Sequence, residues 1–208
     1  MRKLKPIQTE YNGYLFRSRL EARWAVFFDA CGVEYEYEPE GYHLDNGLLY
    51  LPDFLLHGVV GRAGGDLFVE VKGKMTELDA QKINCFVDMG FPETAAGCLQ
   101  KSATATLVVG NIPAGEDIYD IDNDISYRAY QSVNTCWPYE FNFETIDGDH
   151  FGAHPGINKS GYFELFGDDS NYLCDRDDAA TEKAYRLARQ ARFEHSATSR
   201  VFPVRRKS

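Results

Sequence analysis

The sequence predicts a mixed α/β fold, a β-sheet flanked by helices, and three observations carry that prediction. A chain of 208 residues that is 44% hydrophobic, with 14 Phe and 13 Tyr, can bury one main core and is too apolar for wholesale disorder. Helical and extended periodicities alternate along residues 1–110 in the order α-β-β-β-α-β. A candidate helix separates the last two strands, which permits a crossover between them.

The first helix is SRLEARWAVFFDACG, with Ser18 suited to cap its start and Gly32 to end it. Leu20, Trp24, Phe27, Phe28 and Cys31 give it an apolar stripe. VEYEYEP alternates Val33, Tyr35 and Tyr37 with Glu34, Glu36 and Glu38, the pattern of a strand with one packed and one wet face, ended by Pro39. YLPDFLLHG is a second strand, and Pro52 makes its beginning an edge or bend. GDLFVEVKG is a third, joined to the second through a hairpin loop delimited by Gly58 and Gly61 to Gly65. TELDAQKINCFVDMG reads as a helix with a cap-like Thr76 and Asp79 and with Leu78, Ile83, Phe86 and Met89 as apolar contacts. ATLVVG is the next strand.

Beyond residue 110 the topology is not assigned from sequence, although GYFELFGD is a strand candidate. Residues 111–180 hold 15 acids against 3 bases, so the formal charge of −10 is regional. DDAATEKAYRLARQARFEH reads as a helix with Ala184, Leu187, Ala188 and Ala191 on one side. The division that follows is a core over 1–110, an acidic insertion or accessory region over 111–177, and a C-terminal helix with a basic tail over 178–208 packed on the core. Five well-separated cysteines fit a reducing compartment, and no apolar run suits a signal peptide or membrane span, so a cytoplasmic or host-intracellular protein is expected.

The chemical signal is Pro52-Asp53 followed, after a glycine-rich stretch, by Glu70-Val71-Lys72. Alternation puts Glu70 and Lys72 on one face of a strand with Cα atoms about 7 Å apart, and pairing with the preceding strand brings in Asp53. Two carboxylates suit a hard divalent ion, and an adjacent ammonium suits water or phosphate. Ser18 and Glu21 have capping-box spacing, but Glu21 also lies in the apolar stripe, where an acid needs a hydrogen bond or a cation.

With LPDF, FVEVKG and the RSRLEARWA helix, the first half of the chain resembles the PD-(D/E)xK restriction-endonuclease-like superfamily, and more narrowly its phage-type nucleases. The resemblance implies a restriction-endonuclease-like fold and a metal-dependent DNA endonuclease that hydrolyses phosphodiester bonds by activated water. It implies metal ligands at Asp53 and Glu70, the catalytic lysine at Lys72, and a supporting helix carboxylate at Glu21. Mg²⁺ is the expected ion, with Mn²⁺ able to substitute, and double-stranded DNA the expected partner, with a homodimer or a protein partner as further candidates. Arg17, Arg19, Lys74, Gln81 and Lys82 are candidate phosphate contacts around this centre; Arg23 and the late-helix residues Lys183, Arg186, Arg189 and Arg192 are candidate DNA-backbone contacts if folding brings them beside it, the late four not forming one narrow stripe. Two alternatives stand beside it: a noncatalytic interaction protein on a nuclease scaffold, and a structure-selective junction or repair nuclease. A structural zinc on His150, His154, Cys136 and Cys174 is disfavoured, because no close cysteine pair exists.

Overall fold

A computed structural model describes residues 6–60, 65–73, 76–89, 105–113, 127–131, 153–167 and 175–193. The hairpin β1 (Thr9–Tyr11) and β2 (Tyr14–Phe16) leads into helix α1 (Arg19–Ala30). Ser18 caps α1, its side chain accepting the Glu21 N–H. At the far end Gly32 takes the left-handed conformation (φ +70°), and the Gly32 and Val33 N–H groups return to the Asp29 and Phe28 carbonyls.

The expected α-β-β-β-α-β elements are found as α1, β3 (Tyr35–Tyr37), β6 (Phe54–Val60), β7 (Gly65–Val71), α2 (Glu77–Met89) and β8 (Ala105–Val109), but that order omits two hairpins, one before α1 and one between β3 and β6. A short separate hairpin, β4 (Tyr42–His43) and β5 (Leu49–Tyr50), lies between β3 and β6 in the chain. The main sheet is ordered β3-β6-β7-β8-β9, where β9 is Tyr127–Gln131. Strands β7 and β8 are parallel and the other neighbours antiparallel, as a crossover through α2 requires. This is a mixed sheet with helices on both faces. The hairpin β10 (Ala153–Ile157) and β11 (Phe163–Gly167) precedes helix α3 (Asp178–Gln190).

Side-chain alternation divides the core between the two faces. Leu67, Val69, Val71, Leu107 and Val109 pack with Trp24, Phe27 and Phe28 of α1 and with Ala184, Tyr185 and Ala188 of α3. Tyr185 stacks on Phe27 at 4.4 Å between ring centroids, and Trp24 Nε1 donates to the Gly110 carbonyl at 2.8 Å. Phe68 and Val108 point the other way, onto Ile83 and Phe86 of α2 and Leu44 and Tyr50 beside the short hairpin. Ile157 belongs to the α1–α3 side of the core, and β9 extends the sheet, so two parts of the acidic stretch share in the main fold. No helix among the described residues is long and apolar enough to cross a membrane.

Four expectations are corrected. YLPDFLLHG is not one strand: β5 ends at Tyr50, β6 begins at Phe54, and the segment containing Pro52 separates them. Gly58 lies inside β6 at a register shift, with φ +67°, rather than in the hairpin loop. Leu78 (51% exposed) and Leu187 (36%) face solvent. Thr181 and Tyr185 complete the buried face of α3 that Leu187 was expected to share. The hairpin-loop glycines Gly61 and Gly64, the acidic run before Tyr127 and the basic tail after Phe193 lie outside the described residues.

Candidate active site

The candidate site forms where β6 begins and β7 ends. Phe54 pairs with Val69, so Asp53, one step before Phe54, meets Glu70, one step after Val69. The sheet pleat turns Glu70 to the α2 face with Phe68 and Val108, and Lys72 follows two residues on. Asp53 is 2% exposed and Glu70 3% exposed, which separates them from ordinary surface acids. Each of their four oxygens is met by a donor. Asp53 Oδ2 accepts the Val71 N–H (2.8 Å) and Oδ1 the Arg17 guanidinium (2.5 Å). Glu70 Oε2 accepts the Tyr50 hydroxyl (2.7 Å), and Oε1 pairs with the Lys72 ammonium.

The electrostatics are those of two buried acids crowded together. Burial and then the Glu70 charge push the Asp53 carboxyl up to about 7, against the opposing pull of Lys72 and the Val71 N–H. Burial alone would weaken the Lys72 proton, but Glu70 and Asp53 outweigh it and hold the ammonium above its ordinary range. Burial, followed by Glu70, keeps the Tyr50 hydroxyl protonated and therefore a donor. Replacing Tyr50 by Phe removes that donor and leaves a buried carboxylate oxygen unpaired. We expect a loss of about 1–3 kcal/mol in urea unfolding, measured without divalent ions.

Glu21 joins the site through the start of α1. Its Oε1 accepts from the Ser18 hydroxyl (2.7 Å), and its Oε2 from the Tyr37 hydroxyl (2.6 Å) and the Arg17 N–H (3.1 Å). It is buried, and its capping and supporting roles are compatible. Arg17 spans two acids, with Nε 2.6 Å from Glu38 and Nη2 on Asp53. In this arrangement it is a counter-ion of the site before it is a phosphate contact.

An open groove of about 470 Å³ runs from this cluster along the β4–β5 hairpin and α2, lined by Arg17, Tyr42, His43, Asp79 and Lys82 among others. Of the expected phosphate contacts, Arg17 and Lys82 line this groove. Arg19 and Gln81 are exposed and are not among the groove residues, and Lys74 lies outside the described residues. Arg189 donates to the Pro113 carbonyl, which ties α3 to the loop after β8. Cys136, Cys174 and His150 lie outside the described residues, as does the His154 side chain. Sequence reasoning missed Tyr50, Tyr37, Glu38 and Asp79. Only Asp79 carried a local signal: it is the third residue after the capping Thr76, which directs it back over the start of α2.

The donor set fits a hard divalent ion better than zinc. Two buried carboxylates side by side offer hard oxygen ligands, and two protein ligands suit an ion that keeps several waters. Among the described residues no three His, Cys, Asp or Glu side chains are grouped to hold a metal by themselves. Neither a family model, nor a curated protein, nor a solved structure matches this chain.

Proposed function

We infer that this protein is a divalent-metal-dependent DNA endonuclease of the PD-(D/E)xK type. The observation that carries the reading is the burial of Asp53 and Glu70 side by side, from neighbouring strands, against the Lys72 ammonium. Burying two acids together is costly, and carboxylates perturbed in this way cluster at functional sites. The helix and strand order around the motif supports the same reading.

Asp53 and Glu70 would hold Mg²⁺ or Mn²⁺, which when bound supplies polarisation of a phosphoryl oxygen and a nucleophilic water. Lys72 acts as a charged donor that orients water and stabilises negative charge at phosphorus, because its neighbours keep it protonated. Glu21 fixes the Arg17 backbone and the Tyr37 hydroxyl, and so supports the wall of the site without touching the reacting atoms. Lys82 and Arg17 face the groove and would meet the phosphate backbone. Hydrolysis needs no covalent protein–DNA intermediate.

The test is cleavage mapping on a labelled panel of linear, supercoiled, single-stranded and branched DNA, and RNA, with Mg²⁺ or Mn²⁺. The expected result is internal cleavage of DNA that EDTA abolishes and Asp53→Ala removes. A preference for branched DNA regardless of sequence would assign a junction-type enzyme. A folded protein that binds DNA but cuts nothing on the panel would favour the noncatalytic scaffold.

A further inference from the structure

We propose that Arg17 is a phosphate-binding arm which Asp53 holds until a divalent cation takes its place, so that metal binding and DNA binding are coupled through this one side chain. The inference rests on the reading of Asp53 as a metal ligand. Of the two Asp53 oxygens, Oδ2 is committed to the Val71 N–H within the β6–β7 pair, whereas Oδ1 is held by a side chain that can leave. The Arg17 side chain is 51% exposed and that of Asp53 3%, so the guanidinium covers the solvent side of the buried carboxylate. It also lines the groove.

The rest of Arg17 is built for a pivot. Glu21 and Tyr37 both accept its backbone N–H, at 3.1 and 3.0 Å, which fixes the Cα while the side chain stays outside the core. Once a dication sits at Asp53, the guanidinium is repelled and keeps the Tyr37 hydroxyl and Glu38, a carboxylate on a side chain 30% exposed. A pair of that kind, half open to solvent, contributes modestly. A phosphate offers the guanidinium a bidentate partner instead. By linkage, the cation must then tighten DNA binding by the factor by which DNA tightens cation binding.

The experiment measures fluorescence anisotropy of a labelled DNA duplex in EDTA and in saturating Ca²⁺, a hard cation used as the probe, with Ca²⁺ binding followed by calorimetry. For the wild type the duplex should bind about tenfold more tightly with Ca²⁺. In Arg17→Gln that ratio should fall to about twofold or less, while Ca²⁺ itself binds several-fold more tightly because its competitor is gone. Arg17→Lys keeps the charge without the fork, should give an intermediate ratio, and serves if the Gln variant does not fold. An unchanged ratio in a folded variant that still binds Ca²⁺ would make Arg17 an ordinary phosphate contact and overturn the proposal. Absence of Ca²⁺ binding to the wild type would defeat the metal-site reading itself, and the proposal with it.

Discussion

Lys72→Ala should lower metal-dependent DNA cleavage by about 10²–10³-fold, the usual cost of deleting one preorganised charge from a hydrolytic centre. The loss should fall on the turnover rate and not on metal affinity. Lys72 neutralises Glu70 in the metal-free protein, and its removal leaves that carboxylate more available to Mn²⁺. Calorimetry should therefore find Mn²⁺ binding unchanged or tighter, and thermal unfolding in Mn²⁺ should confirm an intact fold. Parallel losses of cleavage and metal binding would mean that Lys72 only holds Glu70 in place, which would remove it from the reaction.

The second large effect is on stability, and its sign is opposite to that of an ordinary paired acid. The Asp53 carboxyl is pushed from 3.8 in the free side chain up to about 7 in the folded chain. Between those values the folded protein keeps a proton that the unfolded chain releases, so stability falls as pH rises through this window and then levels off. The size is on the order of a few kcal/mol in the absence of divalent ions. Urea unfolding from about pH 4 to about pH 8 should show this decline in the wild type and not in Asp53→Asn. Mg²⁺ binds the charged carboxylate, so it should offset the decline and stabilise the protein more above pH 7 than below pH 5. A wild-type profile parallel to that of Asp53→Asn would show that Asp53 is ionised throughout.

What could be read from the sequence was local or periodic. The Ser18–Glu21 spacing gave the cap of α1, Gly32 gave its end, and the alternation of Glu70, Val71 and Lys72 gave the face on which the two polar groups lie. Asp53 was legible because two strands joined by a hairpin have few registers that bury their apolar residues. The partners that tune the site were not legible. Tyr50 reaches Glu70 from the β4–β5 hairpin across 20 residues, and Arg17 reaches Asp53 across 36. Neither contact has a period or a spacing rule, since both follow from how the elements dock. Gly58 was misplaced for a related reason: glycine marks unusual backbone, but whether that is a loop or a bulge depends on the opposing strand.

The cap at the start of α1 makes the helix and the site a single cooperative unit. Ser18, Glu21, Tyr37 and Arg17 form one chain of hydrogen bonds that begins as helix termination chemistry and finishes on a carboxylate of the cluster. Fraying of the first turn of α1 would therefore slacken the acid cluster at the same moment, and amide protons near Glu21 and Val71 should exchange with solvent through a shared opening event.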